Sequence, residues 1–279
     1  MSKVREMFGL YCSEDINLED VLNNQMCPFN NKKCFKTRKS DSATSIGTCT
    51  VNYQNRDIII CPNRLTENSQ IFVDCLHLLT LHEPGNELYI IPEVTIPGGH
   101  VDFFLVSAKS KKIKDFVGIE LQTMDTTGTV WPERQRLLNE HGFDVLEEDI
   151  NNNKPFGMNW KMTAKTILVQ MHHKAQTFEN LNKHLVLIIQ KPLYEYMRRA
   201  FSFSHIEGVR IGDSVHFHSY DFVEENGGLH LTLDTRDSTD TNGVAECLGL
   251  NAEANVALED IIALLETKLL DEYRLTLLM

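Results

Sequence analysis

A predicted strand with two polar residues on one face is the first feature of the sequence that could carry chemistry. The segment VGIELQTMDTTGT (residues 117–129) begins as an apolar run interrupted by Glu120 and Gln122. Side chains alternate along a strand, so Glu120 and Gln122 share one face while Ile119 and Leu121 point to the other. A carboxylate and an amide in this position need partners, and either a bound metal ion or a salt bridge would satisfy them.

A second carboxylate, Asp102, lies in the preceding predicted strand, within PGGHVDFFLVSA (residues 97–108). If the two strands form a symmetric hairpin about residue 111, Asp102 lies directly across from Glu120. Opposed residues have Cβ atoms about 4.5–5.5 Å apart, and carboxylates that close repel unless a cation or a proton lies between them. Mg²⁺ takes such ligands and keeps waters that chemistry can use. The pattern predicts a magnesium site, with a structural polar cluster as the alternative.

Four of the seven cysteines, Cys27, Cys34, Cys49 and Cys61, fall within 35 residues. An odd total without a secretion signal argues against a disulfide framework. The spacing is looser than that of paired zinc knuckles, but Pro follows Cys27 and Cys61, and Gly lies near Cys49. Such residues sharpen turns and free backbone amides to point at sulfur. We predict a closed, structural four-cysteine metal site, for which spacing does not separate iron from zinc. Unrelated buried thiols are the alternative.

The elements that must position these residues combine helix and strand patterns, which predicts a mixed α/β domain. Residues 1–65 are predicted to form a loop-rich unit stapled by metal. Helices are predicted at 71–82, 131–143, 159–181 and 251–273, and strands at 87–94, 101–107, 115–123, 184–190, 214–223 and 229–234. The strand at 87–94 is predicted to be broken by proline. We therefore predict a metal-binding module at 1–65 and a second domain at 66–279 that ends in an acidic helix.

The charge distribution leaves a nucleic-acid partner possible despite a formal net charge of −12. Residues 221–279 hold 13 acidic and 3 basic side chains, whereas residues 1–220 hold 26 and 24. Two basic clusters, NKKCFKTRKS (31–40) and KSKKIK (109–114), lie in the balanced part. Phosphate contacts depend on such local patches, although solvated loops would have the same composition. No apolar run of membrane-spanning length and no secretory leader pattern is present, so we expect a cytoplasmic protein.

Several motifs together resemble one protein family. The pattern D-x17-E-x-Q formed by Asp102, Glu120 and Gln122 resembles the PD-(D/E)xK nuclease core, with glutamine in the usual lysine position. With CPFNNKKC, GTCTV, IICPNRL, PGGHVDFFLV, GIELQTMDTTGT and NWKMTAKTILVQMHHKAQ, the segment from about residue 20 to 192 resembles the NotI family of type II restriction endonucleases.

The resemblance implies a Mg²⁺-dependent endonuclease that acts as a homodimer on a palindromic site in double-stranded DNA and leaves a 5′-phosphate. It also implies a nuclease core with a mixed central sheet flanked by helices. Asp102 and Glu120 match the metal-binding carboxylates, Gln122 matches a glutamine that replaces lysine, and Glu93 is a candidate for an additional acid. The four cysteines match a cluster that holds iron in the family.

Further candidates follow from position. Lys161 and Lys165 lie four residues apart on one predicted helix and could support catalysis at the same phosphate. The candidate DNA contacts are Lys36, Arg38, Thr126, Thr127, Arg134 and Gln135. Two other functions stay open: a metal-stapled DNA-binding protein without catalysis, and a defence-system nuclease with relaxed specificity.

Overall fold

A computed structural model of the chain describes residues 2–13, 16–38, 40–151, 155–210, 212–250 and 258–267. The strands are β1 Val4–Met7, β2 Leu10–Tyr11, β3 Met26–Cys27, β4 Lys32–Lys33, β5 Thr37–Arg38, β6 Asp41–Ser45, β7 Thr48–Tyr53, β8 Arg56–Ile59, β9 Glu87–Ile96, β10 Gly99–Lys109, β11 Lys112–Gln122, β12 Thr126–Thr127, β13 Gly157–Met158, β14 His184–Gln190, β15 Val215–Glu225 and β16 Gly228–Thr239. The α-helices are α1 Glu19–Asn24, α2 Gln70–Asp74, α3 Trp131–Glu140, α4 Glu147–Ile150, α5 Trp160–Asn180, α6 Lys191–Ala200, α7 Thr241–Cys247 and α8 Leu258–Glu266. Short 3-10 helices cover Pro62–Ser69 and Leu76–Leu78.

The centre of the fold is a six-stranded mixed sheet in the order β16-β15-β14-β11-β10-β9. Strands β9, β10 and β11 form an antiparallel meander, β11, β14 and β15 run parallel, and β16 returns antiparallel to β15. Parallel strands need crossover connections, and α5 provides the one between β11 and β14. The predicted mixed α/β architecture, with helices around a central sheet, is confirmed.

Each face of the sheet is covered by its own apolar layer. On one face, Ala164, Ile167 and Met171 of α5 pack among sheet residues such as Leu187 and Phe217. On the other face, the segment of residues 62–79 supplies Leu65, Ile71 and Phe72 against Ile119 and Val186. A fully buried side chain of this size contributes about 1.5–3 kcal/mol, so these two layers hold the strands that carry the polar residues.

The β10–β11 hairpin has the register that the symmetric arrangement predicts. Its turn places Ser110 and Lys111 at φ values of 51° and 61°, and Lys109 pairs with Lys112. The turn is thus centred half a residue before position 111. A bulge between Ser107 and Ala108 corrects the offset, and Phe103 pairs with Ile119. Continuing that register by one residue sets Asp102 opposite Glu120.

The N-terminal part is built from short strands, and its larger sheet has the order β2-β1-β7-β8. Two small ribbons, β3–β4 and β5–β6, stand beside this sheet. Ile58 and Ile59 at the end of β8 pack into the two layers of the central sheet, one into each. The boundary at residue 65 between a metal-binding module and a second domain stays a prediction.

Two local predictions were wrong. The helix expected at 71–82 is replaced by α2 and a 3-10 turn, although the buried residues Ile71, Phe72, Cys75, Leu78 and Leu79 keep the spacing of one helix face. The strand expected to break at Pro92 continues through it as β9. Strand β9 is a sheet edge, where a missing amide donor costs no ladder hydrogen bond.

The C-terminal part is described over α8 only. Leu258–Glu266 is helical, in agreement with the helix expected across 251–273, and residues 251–257 and 268–273 lie outside the described residues. Over the described ranges, we find no helix whose length and apolar character would let it cross a membrane.

Candidate active site and metal centre

Three carboxylates lie on three neighbouring strands at one level of the central sheet. Glu93 of β9 stands between Pro92 and Val94, which pair with Phe103 and Val101, so Glu93 faces Asp102. Glu120 lies across β10–β11 from Asp102. Glu93 has a φ of 53°, a conformation that non-glycine residues rarely adopt. Such local strain persists where surrounding structure requires it, often at functional sites.

The two inner carboxyl groups differ in their partners. Oδ2 of Asp102 accepts a hydrogen bond from the amide of Leu121 at 2.8 Å, while burial raises the pKa of Asp102. Glu120 is only 2% exposed, and burial raises its pKa from 4.5 to about 7. The charge of Asp102 contributes to that rise. These buried acids therefore resist ionisation together, and a cation would relieve them.

Lys174 of α5 supplies a cation beside Glu120. Its Nζ lies 2.7 Å from Oε1 of Glu120, and the lysine side chain is 8% exposed. The pKa of Glu120 is lowered by this contact, although less than burial raises it. Sequence reasoning missed Lys174. The available signal was its place in the apolar stripe of the helix, since a lysine between Met171 and Phe178 needs a buried partner.

The turn between β9 and β10 holds α5 against the site. Thr177 donates a hydrogen bond to the carbonyl of Pro97 at 2.7 Å. Gly98 has a φ of 100°, and a Cβ added there would meet the carbonyl oxygen of His173 at 2.5 Å. Glycine at position 98 therefore lets the β9–β10 turn approach α5 closely at His173, the residue before Lys174.

Gln122 ends β11 on the same face as Glu120, half-buried, and pairs in register with Ile189 of β14. The chain then forms β12, in which Thr126 is half-buried and Thr127 exposed. Lys161 and Lys165 are exposed, so they lie away from the buried stripe that carries Lys174. The assigned roles of these five residues stay predictions.

The remaining candidate DNA contacts have partners inside the protein. Arg38 pairs with Asp149 at 3.1 Å, and Lys36 donates to the carbonyl of Ile60 at 2.6 Å. Arg134 and Gln135 are buried, 5% and 7% exposed, and burial lowers the pKa of Arg134 to about 10. This placement does not favour DNA contacts by Arg134 or Gln135 in this conformation.

Cys27, Cys34, Cys49 and Cys61 line one small cavity. Backbone amides of Phe29 and Asn30 point at the Cys27 sulfur, and those of Asn63 and Arg64 point at Cys61. In both CPFN and CPNR, the amides two and three residues after the cysteine thus point at its sulfur. A hydrogen bond with Cys49 lowers the pKa of Cys61 to about 6, whereas burial raises the pKa of Cys27.

The described geometry does not support a formed metal centre. Among the residues that the structure describes, no three or more His, Cys, Asp or Glu side chains are placed to hold a metal ion. Two observations favour the predicted iron or zinc site: the four cysteines share a cavity, and backbone amides point at sulfur. The described side chains are not arranged as a set of metal ligands.

Comparison with known proteins identifies the family. The family model described as restriction endonuclease NotI matches residues 17–230. The matched span contains the four cysteines of the cavity, the three carboxylates of the sheet and Lys174. No curated protein matches the chain significantly. Since the family model covers more than half of the sequence, the chain belongs to the NotI family of restriction endonucleases.

Proposed function

We propose that this restriction endonuclease is of type II and hydrolyses phosphodiester bonds in a specific double-stranded DNA sequence with Mg²⁺, leaving a 5′-phosphate. The observation that carries the proposal is the juxtaposition of Asp102 and Glu120 on adjacent strands, with Gln122 following on the same face. Family membership supports the DNA substrate and the hydrolytic reaction.

The carboxylates fit a hard divalent cation. Oε1 of Glu120 is buried with the Lys174 ammonium 2.7 Å away, and a carboxylate has further lone pairs that a metal ion can take. Asp102 and Glu120 would hold Mg²⁺, and Glu93 would contact the ion only through a water. When bound, Mg²⁺ supplies charge stabilisation and lowers the pKa of a coordinated water.

The residues around the carboxylates have separate roles in this proposal. Gln122 orients the attacking water through its amide oxygen but neither accepts the proton efficiently nor adds charge. Lys161 and Lys165 are exposed on α5, where they support catalysis by meeting DNA phosphates. Thr126 and Thr127 follow the catalytic strand and contact the sugar-phosphate backbone.

For the cysteines, we propose a structural iron or zinc centre held by Cys27, Cys34, Cys49 and Cys61. The support is chemical: four sulfurs share one cavity, and amides in two Cys-Pro turns point at sulfur, which stabilises thiolates. Four protein ligands leave no open position, so the centre would stabilise the N-terminal part rather than react.

We also propose that two copies act together on a palindromic site, because a twofold axis in the DNA is matched by a twofold axis in the protein. Light scattering of the purified protein should then give twice the chain mass of 31.9 kDa. A monomer both free and on DNA would contradict this part of the proposal.

The decisive experiment incubates the purified protein with several phage and plasmid DNAs in Mg²⁺ or in EDTA, beside Glu120→Ala and Glu195→Ala. Glu195 is a matched control because its side chain is 48% exposed and pairs with Arg56 at the surface. We expect discrete Mg²⁺-dependent fragments from the wild type and Glu195→Ala, and intact DNA from Glu120→Ala.

The other outcomes separate the remaining functions. A smear of products would indicate a nuclease with relaxed specificity. Binding without cleavage in every divalent ion, unaffected by Glu120→Ala, would indicate a DNA-binding protein and overturn the proposal.

A further inference from the structure

The strand position that carries lysine in the usual D…ExK pattern holds Gln122 in this chain. A glutamine is neutral, whereas phosphoryl transfer builds negative charge on the phosphate oxygens. The strand therefore lacks one of the positive charges expected at the reacting centre. We propose that Lys174, from α5, supplies this charge as a catalytic residue that contacts the scissile phosphate; the inference rests on the proposed nuclease function.

The geometry brings Lys174 to the carboxylates from outside the sheet. Its Nζ is 2.7 Å from Oε1 of Glu120, and its charge also acts on Asp102. The lysine stem passes over the β9–β10 turn, where a Cβ added at Gly99 would lie 3.3 Å from Cε of Lys174. The ammonium is thus held next to Glu120 and Asp102.

A structural ion pair alone does not account for this arrangement. Burying two charges costs several kcal/mol of desolvation, and apolar residues of similar volume often stabilise such a position as well or better. The neighbours of Lys174 on the helix, Met171 and Phe178, are apolar and buried. An ammonium also has three donors, so the contact with Glu120 leaves donors for a phosphate oxygen.

Neither of the exposed lysines on α5 can take this place. Lys165 lies nine residues before Lys174, which is about 13 Å along a helix axis. Lys161 lies one turn further away. Both are therefore placed for phosphates flanking the site rather than for the scissile one.

The test compares Lys174→Met, Lys174→Arg and the control Lys191→Met under single-turnover conditions on a cleaved DNA. Lys191 is a matched control because it is a half-buried lysine of α6 that pairs with Asp234 at 2.8 Å. Lys174→Met should lower the cleavage rate about a hundredfold to a thousandfold, the usual effect of removing one preorganised electrostatic contact. Lys174→Arg should recover at least tenfold of that loss, and Lys191→Met should stay within about threefold of the wild type, because it removes only a surface ion pair. DNA affinity in Ca²⁺ should change little in the Lys174 variants.

Two further readouts separate catalysis from support of the fold. Thermal melting checks that each variant is folded. The pH–rate profile reports the acids beside Lys174, namely Asp102 of β10 and Glu120 of β11. Its acid limb should move to higher pH in Lys174→Met, because these acids lose their cation. If Lys174→Met unfolds, the arginine variant alone decides, since it keeps the charge and should retain the wild-type pH profile.

The failures are distinguishable. If the wild type cleaves and folded Lys174→Met cleaves within about threefold of it, the inference is wrong and the nuclease function stands. If the wild type cleaves no DNA, the proposed function falls and the role of Lys174 falls with it.

Discussion

Glu120 is a buried acid whose ionisation the fold opposes. Burial raises its pKa from 4.5 to about 7, so between these pH values the folded chain binds more protons than the unfolded chain. The free energy of unfolding therefore falls as pH rises from 4.5 to about 7 and changes no further through this group. The contribution is about 3 kcal/mol, at 1.36 kcal/mol per pKa unit.

Glu120→Gln should remove this dependence, because the amide does not titrate. We expect the loss of unfolding free energy between about pH 5 and about pH 8, in EDTA, to be about 2–3 kcal/mol smaller in the variant. Urea unfolding at both pH values measures it. The comparison uses the pH difference, since the variant also deprives Lys174 of its partner. Equal losses in both proteins would show that Glu120 ionises normally.

At the scale of single residues, the sequence predicted that Glu120 and Gln122 share a face and that Asp102 lies opposite Glu120. It did not predict the lysine that pairs with Glu120. Alternation along β11 and the length of the hairpin suffice to set Asp102 across from Glu120. Lys174 joins them only because α5 docks on the sheet, a long-range event that no local spacing encodes. The burial of Arg134 and Gln135 was likewise hidden. Nothing in the helix sequence shows that Arg134 donates to the distant carbonyl of Ile46 and also to the side chain of Gln135.

Among the elements, the paired turns CPFN and CPNR define the clearest local prediction. We expect about one iron or zinc ion per chain in the purified protein, since four thiolates complete one tetrahedral site. Cys27→Ala and Cys61→Ala should each lose the ion and melt at lower temperature. Metal analysis by mass spectrometry and thermal melting provide the measurements.

Cys12→Ala serves as the control for the cysteine variants, because Cys12 is half-buried and lies outside the cavity. It should keep the ion. If the wild-type protein is purified without metal, and the cysteine variants melt at the same temperature as the wild type, the four cysteines are unrelated buried thiols and the metal site is wrong.

The elements that could be predicted are those whose spacing of apolar residues fits only one type of secondary structure. The apolar run of β14 and the long stripe of α5 appear within one residue of their expected bounds. The segment at 71–82 could not be predicted in the same way, because apolar residues three apart suit both α and 3-10 helices. Helix α6 starts directly after β14 without a loop, and Pro192 in its first turn was the available signal of the helix start.

At the scale of the whole molecule, Arg64 fastens the N-terminal strands to the far edge of the central sheet. Its guanidinium, 1% exposed, contacts Glu6 at 2.8 Å, Glu67 at 2.9 Å and the carbonyl of Leu229 in β16 at 2.6 Å. The rings of Phe29 and Phe222 each lie 5.1 Å from it. Residues far apart in sequence thus share one buried cation.

Arg64→Met should lower the free energy of unfolding by about 3–5 kcal/mol, because it leaves Glu6 buried without its partner. Arg56→Met, which removes the exposed pair with Glu195, should cost less than about 1 kcal/mol. Urea unfolding of both variants makes the comparison. Similar losses in the two would mean that the Arg64 network does not hold the parts of the molecule together.

The hairpin bulge has a consequence for how this chain can vary. The turn at Ser110 and Lys111 and the bulge near Ser107 jointly fix the alignment of β10 with β11. The number of residues in the hairpin tip therefore decides which face of the sheet each side chain occupies. Adding or deleting two residues at the tip would keep every side chain on its own face. A single insertion or deletion would slide one strand by a residue and turn either Asp102 or Glu120 to the opposite face of the sheet. Natural and engineered length changes at this tip should therefore be tolerated in even steps, with odd steps rescued only by a second bulge.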